Sequence, residues 1–504
     1  MPSTTIPIAN GFYVSDSLPI SSQRCVNWIP NIPQTSTITD ANLFSTPGLN
    51  QILSVSDIDK CRGAHVMAET PYFVIGNTLY RLNRSVAGDG TETYTTSMLG
   101  TILGSDRVTM ADNGTELCIC AKPDSLTTGK SYIFTESPDT LTEITDANFD
   151  GPAESVLYVD GLFVFTKADG KKFFNSPISS GLGPYDALDF STASADPDQI
   201  RAQAVYSNQL YIFGSETIEI FKNTGRSPAP FQRIQGAVIQ LGIFSPMSIQ
   251  LFADSLVFIG GSANESPSVW SVSGSRKQKI STTAIDNELS ALTTAELDNV
   301  YSWKYGESGS YFYGFTTPST TFVYDSSTNR WHERQSSIAN GLEAYRVSHM
   351  VTAYGKILVG DSFDGRIGCL QKGLYTEYGD LVKSFMTTQP FDNSGDPIFI
   401  PMIEAVCESG VGLTSDITVY SGVDPDGNRI EVTGGADPKV TLAWSKDGGR
   451  TFEGWLNRSL GKKGEYKLRQ QWRKLGRFPR SIVLLIEMAS PTKKVLIKAE
   501  ATIA

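Results

Sequence analysis

The sequence predicts an all-β protein, a six- or seven-bladed β-propeller followed by a C-terminal β-sandwich, on three observations. First, the 504 residues include 45 Gly and 25 Pro with abundant Ser and Thr, while only 19% are charged. That is the make-up of many short strands joined by tight turns, not of a helical bundle. Second, an apolar strand recurs with a nearly constant period. Third, the recurrence stops near residue 373, with strand-like segments still to come. A 40% hydrophobic and 10% aromatic content is enough for a sizeable core and excludes a disordered chain. At this length two or three domains are expected.

Residues 1–50 come first. They carry the pairs Ile6-Pro7, Ile29-Pro30 and Ile32-Pro33 and little periodicity, so an extended arm laid over the folded body is expected. The opening residues have neither a basic n-region nor an apolar h-region, and no secretory signal is expected. No apolar run approaches the ~18 residues that a membrane helix needs.

Residues 51–372 are assigned to the propeller. The recurring strands centre on Phe73, Cys118, Phe163, Tyr211, Val257, Tyr311 and Ile357, spaced 45, 45, 48, 46, 54 and 46 residues apart. A period near 45, all strand, is that of a propeller blade. Downstream of these anchors, Thr217–Phe221, Ser268–Val272 and Thr321–Asp325 alternate as strands with one buried face. Asp160-Gly161, Asp169-Gly170 and Asp364-Gly365 read as turn pairs. The Trp-Asp and Gly-His pairs of WD40 blades are missing. Seven anchors indicate seven blades, or six if the first or last copy belongs elsewhere. An ordinary two-sheet β protein with coincidental spacing is the competing reading. Residues 373–504 carry strand candidates at Ile417–Tyr420, Val440–Trp444, Ser481–Ile486 and Lys494–Lys498, which reads as a sandwich.

Catalytic chemistry needs titratable groups gathered in one place. His65, His332 and His349 fall in different repeats and none joins a metal-spacing motif. Cys118 and Cys120 face the same way on one strand and read as core packing. The six cysteines are too sparse for a disulfide scaffold and are expected as free thiols in a chain made in the cytoplasm. Asp424-Pro425-Asp426-Gly427-Asn428 opens like a calcium loop but has Arg429 and Gly435 where the loop needs Gly and Glu, so a solvated turn is expected. Ser445-Lys446-Asp447-Gly448-Gly449-Arg450-Thr451-Phe452 matches an Asp-box, a hairpin device in which Ser and Asp satisfy turn amides and the aromatic ring packs inward. No catalytic, cofactor-binding or metal residues are assigned, and the chain is expected not to be an enzyme.

Charge is distributed unevenly. Residues 446–480 hold eleven basic against three acidic residues, a local +8, so the remainder of this −11 chain carries −19. An acidic chain is no general DNA-coating protein. Arg450, Arg458, Lys462, Lys463, Lys467, Arg469, Arg473, Lys474 and Arg477 are the candidate partner-binding residues, with Trp455, Tyr466, Trp472 and Phe478 interleaved. Three readings stand: contact with nucleic-acid phosphates, docking onto an acidic partner or a neighbouring copy of the chain, or a solvated hairpin face with its aromatics in the core.

Several segments, in order, resemble one family. Cys25-Val26-Asn27-Trp28-Ile29-Pro30-Asn31, Ser45-Thr46-Pro47-Gly48-Leu49 and Arg62-Gly63 are similar to the opening of the tail hub, or nozzle, proteins of short-tailed bacteriophages, also called packaged-DNA stabilisation proteins. Phe213-Gly214-Ser215-Glu216-Thr217-Ile218-Glu219-Ile220-Phe221 resembles their most recognisable blade segment. Ser266–Trp270, Val323-Tyr324-Asp325 with Trp331, Gly360-Asp361 with Gly365, and Trp444 through Gly464–Lys467 to Trp472–Gly476 continue the match, which covers nearly the whole chain. The resemblance implies a structural virion protein, assembled in the host cytoplasm and located in the tail. It implies a ring, most often of six copies, below the portal and its head-to-tail adaptor. That ring extends the DNA exit channel, carries the needle, fibre or tailspike proteins, and passes genomic DNA without sequence specificity. No cofactor and no membrane insertion are implied. The competing functions are a glycan-binding or glycan-cleaving propeller for host-receptor recognition and a host cytoplasmic scaffolding propeller.

Overall fold

A computed structural model describes the chain except residues 1–2, 57–58, 123–129, 169, 194, 196–197, 263, 339–340, 394–395, 425, 427 and 504. Among the described residues seven antiparallel units follow one another, four-stranded except the fifth, where Gly242–Ile243 and Gln250–Phe252 both pair with Ser255–Gly261. Their second strands are Thr70–Ile75, Glu116–Ala121, Leu162–Lys167, Gln209–Gly214, Ser255–Gly261, Ser310–Thr316 and Lys356–Asp361, one on each repeat anchor. Each has an apolar centre on both faces because its side chains alternate between two neighbouring blades. In the first blade Tyr72 and Val74 pack with Leu117 and Ile119 of the second, whereas Phe73 and Ile75 pack with Leu358 and Ile367 of the seventh. The last blade thus meets the first, and the ring of blades is closed.

The seventh blade takes its outer strand from the other end of the chain. Gly48–Ser54 pairs antiparallel with Arg366–Gln371, which ties the two ends of the propeller together. This strand runs across the expected boundary at residue 50. The long spacing of 54 has its cause in two short helices, Thr283–Ser290 and Thr294–Asp298, inserted between the fifth and sixth blades. Their caps are legible: the Thr282 hydroxyl accepts from the Ile285 amide, and Thr293 with Glu296 forms a capping box. Asp160-Gly161 is a hairpin turn with both φ positive, as expected. The Asp364-Gly365 turn is held by the Asp364 carboxylate, which accepts from the Arg366 amide at 3.0 Å. Asp169 lies outside the described residues.

The sandwich packs one sheet (Gln470–Phe478, Ile398–Cys407, Leu496–Thr502, Asn42–Ser45, Trp28–Asn31) against another (Ser384–Thr387, Ser481–Met488, Lys439–Ser445, Glu453–Ser459). Trp28, Ile403, Leu442, Trp472, Ile486 and Leu496 are among the side chains that fill the space between them.

The N-terminal segment differs from an arm laid on the surface. Ser3–Ile6 pairs with Leu496–Thr502, and Trp28–Asn31 with Asn42–Ser45 adds to the same sheet. Between them, Cys25–Val26 bridges blade six and the sandwich, with Val26 paired to both Glu333 and Phe385. Asn27, at φ 54°, exchanges both amide groups with the Gln335 main chain and also donates to the Lys383 carbonyl. Arg24 grips the Glu333 carboxylate with Nε and Nη2 at 3.1 and 2.5 Å. The prolines that obscure periodicity here keep the strands short without preventing pairing.

Candidate assembly surface and axial cavity

The basic stretch occupies both open edges on one side of the sandwich. Glu453–Ser459 ends one sheet and Gln470–Phe478 ends the other. The two edges are linked by Arg458 Nε donating to the Gln471 carbonyl at 2.8 Å and Trp472 Nε1 donating to the Leu456 carbonyl at 2.8 Å. All nine candidate residues, Arg450, Arg458, Lys462, Lys463, Lys467, Arg469, Arg473, Lys474 and Arg477, are exposed. Only Arg469 is neutralised, by a two-pronged pair with Glu404 at 2.7 and 2.6 Å. Among the described residues the other eight form no ion pair, and Lys446 is held by Glu453.

The interleaved aromatics divide. Trp472 and Phe478 belong to the core, whereas Trp455 is 50% and Tyr466 73% exposed. Both edge strands are irregular: the register slips between Leu442 and Trp444 opposite Gly454-Trp455, and between Ile400 and Met402 opposite Lys474-Leu475. Such bulges, with lysine and arginine beside them, blunt an edge against strand addition. The surface therefore offers side chains, chiefly cationic ones flanked by two exposed rings, rather than main-chain hydrogen bonds.

The serine and aspartate of the Asp-box behave as its pattern requires, whereas the Phe452 ring is only half-buried. The Asp447 carboxylate accepts from the Arg450 and Thr451 amides at 2.9 and 3.0 Å and from the Thr451 hydroxyl at 2.6 Å, while the Ser445 hydroxyl accepts from the Gly449 amide at 2.8 Å. Those hydrogen bonds hold the Asp447 carboxyl well below the usual carboxylate range. In the 424–428 turn, Asp424 accepts from the amides of Asp426 and Asn428 at 3.0 and 2.7 Å; Pro425 and Gly427 lie outside the described residues.

No group of three metal-ligating side chains occurs among the described residues. His65 faces Asp112 at 2.7 Å. His332 is buried with neither ring nitrogen hydrogen-bonded among the described residues, and His349 lies beside Ser348 and Arg107. The six cysteines are buried free thiols, with Cys118 and Cys120 in one core cluster.

Sequence reasoning missed a cavity of about 880 Å³ on the propeller axis. It is lined at the ends where the innermost strands begin, by residues including Arg107, Glu154, Arg201 and Tyr301. Across it, Lys122 reaches Glu154 at 3.5 Å and Asp298 at 3.3 Å, and Arg201 also pairs with Asp298. Blades two, three and four are thereby tied to the helical insert. Burial raises the Glu154 carboxyl, with Lys122 opposing the rise. These four residues come from distant repeats, so no local spacing could have paired them.

Comparison with known proteins matches two family models, one after the other along the chain. The family model for the bacteriophage P22 Gp10 β-propeller matches residues 4–375, and that for the P22 Gp10 β-sandwich matches residues 425–504. The tail hub protein gp10 of Salmonella phage P22 is 22% identical over 384 residues, covering 74% of this chain and 77% of its own. Among solved structures, the extracellular domains of a putative hybrid two component system and a putative one component system of B. thetaiotaomicron align with TM-scores of 0.43 and 0.42, each at 10% identity. They cover 76% and 77% of this chain, which spans only 47% and 48% of theirs.

Proposed function

The chain belongs to the bacteriophage P22 Gp10 family and is a structural protein of the virion tail, not an enzyme; on that premise we propose that it acts as the tail hub. In this reading several copies, as a homo-hexamer, form a ring below the portal and the head-to-tail adaptor. The ring continues the exit channel, helps to hold the packaged genome, and seats the needle, fibre or tailspike. The relative from Salmonella phage P22 is itself a tail hub protein, which supports this reading.

The observation that carries the assembly role is the sandwich edge. Eight cations there lack a carboxylate partner within the described chain, while the remainder of the protein is strongly acidic. Like charge repels DNA phosphates from such a body, which suits a conduit that must not retain its cargo. The cationic edge then meets protein, either an acidic partner or the acidic surface of the next copy. Exposed Trp455 and Tyr466 supply apolar area for the same contact. Replacing Lys462, Lys463, Arg473 and Lys474 with Glu turns the edge from +8 to neutral. Ring or adaptor assembly, read on native gels and in pull-downs, is expected to weaken at least tenfold, and more at low salt than at high. Unchanged assembly would remove the edge from the interface.

A further inference from the structure

The axial cavity contains a cation that has no ion-pair partner among the described residues. Arg107 immediately precedes the innermost strand of blade two, Val108–Asp112, and lines the cavity. Its guanidinium lies 3.3 Å from the centre of the Tyr301 ring. One nitrogen, Nη1, is 2.8 Å from Ser348 Oγ and 3.4 Å from His349 Nδ1. Among the described residues it makes no ion pair, although the nearby Lys122 and Arg201 are both matched by carboxylates. Asp106, the preceding residue, also lines the cavity; it is exposed and among the described residues forms no ion pair.

Arg107 is half-buried, and a partly desolvated charge with no carboxylate partner is stabilised by an opposite charge brought within reach. Ordinary packing does not account for the arrangement. An apolar side chain would fill the space over Tyr301, and a paired arginine would resemble Arg201. Ser348 donates its own proton to the Cys61 carbonyl at 2.6 Å, so its oxygen is free to accept from Arg107. His349 Nδ1 faces the same two groups, which favours the tautomer carrying its proton on Nε2, a further donor. Lys60, exposed and also lining the cavity, adds a second positive charge at its rim. Glu154 and Asp298, the carboxylates deeper in the cavity, are balanced by Lys122 and Arg201, and with Arg107 and Lys60 set against Asp106 the Arg107 end keeps a net single positive charge.

We propose that the axial cavity of the propeller is a binding site for a single anionic group, a carboxylate or a phosphate, held by Arg107 with His349 and Lys60 around it. The group arrives either as a free ion or as the side-chain carboxylate of a polypeptide inserted from the open face. This site is independent of the sandwich edge and does not rest on the hub reading.

The test is calorimetric titration of the full-length protein with sodium phosphate, sodium acetate and N-acetylglutamate methylamide, each against sodium chloride at equal ionic strength. Saturable binding of at least one of them, roughly millimolar, is expected, weakened about tenfold in Arg107→Gln and about threefold in Lys60→Gln. Phosphate alone identifies a free ion. A glutamate amide that binds at least tenfold tighter than acetate identifies an inserted polypeptide. If no anion exceeds chloride, or if a folded Arg107→Gln protein binds as well as wild type, the site is refuted. Should Arg107→Gln fail to fold, the exposed Lys60→Gln variant decides, and undiminished binding there also overturns the proposal.

Discussion

Asn27→Ala should damage the junction between propeller and sandwich far more than its single side chain suggests. Asn27 is fully buried, and its amide satisfies the Gln335 N–H at 3.0 Å, the Gln335 carbonyl at 2.9 Å and the Lys383 carbonyl at 2.8 Å. Alanine leaves at least the two Gln335 groups buried and unpaired, at about 1–3 kcal/mol each. It must also hold the left-handed φ of 54°, which Asn tolerates and Ala resists by about 1 kcal/mol. The sum is roughly 3–7 kcal/mol, a large share of the ~5–15 kcal/mol that holds a typical domain together. Urea unfolding followed by circular dichroism would read the loss, and limited proteolysis would read exposure of the connector near Lys383. Asn31→Ala, which removes only a half-buried 3.2 Å bond to Asn42, is the control and should cost under about 1 kcal/mol. An Asn27→Ala protein within 1 kcal/mol of wild type, with an equally resistant connector, would refute the idea that this asparagine stitches the domains.

Two further predictions concern buried polar chemistry. Burial, reinforced by Arg334, lowers the His332 imidazole to about 3, against 6.5 when unfolded. The folded chain therefore refuses a proton that the unfolded chain accepts, so stability is complete above pH 6.5 and is lost as pH falls toward 3, by about 1.4 kcal/mol per pH unit. His332→Leu should gain about 2 kcal/mol relative to wild type between pH 7 and pH 5, read by urea melts at both; parallel pH profiles would contradict this. At Gly214 an added Cβ would lie 2.1 Å from Asp198 Oδ2, and that carboxylate is fixed by the Glu216 and Thr217 amides, each at 3.0 Å. Gly214→Ala is expected to lower stability by about 2–3 kcal/mol, and a thermal midpoint equal to wild type would show that blade four relaxes around it.

Much of the fold was legible because each anchor strand is apolar on both faces, a consequence of lying between two blades. The outer strand of blade seven was not, since Gly48–Ser54 pairs with residues more than 300 positions away. The blade hairpins hid for a different reason. Ala68-Glu69, Ser207-Asn208 and Ala253-Asp254 take positive φ at both positions, as Asp160-Gly161 does, without the Asn-Gly or Asp-Gly pair that marks such turns. The segment Phe213–Phe221, distinctive in the sequence, owes its character to packing: Gly214 admits Asp198, and Glu219 is buried against Arg233 and the Ala195 amide. The cationic edge could be read from residues 446–480 because one hairpin and its neighbour supply all of it. The axial cavity could not, because Arg107, Tyr301 and His349 meet only once the ring has closed.

The hub reading is tested most directly by nuclease protection of DNA in filled heads assembled without this protein, with it, and with the Lys462, Lys463, Arg473 and Lys474→Glu variant. Wild-type protein should convert leaky heads into protected ones, and the variant should leave them leaky. Heads that are equally sensitive with and without the wild-type chain would contradict a role in closing the exit channel and would move this protein to the periphery of the tail.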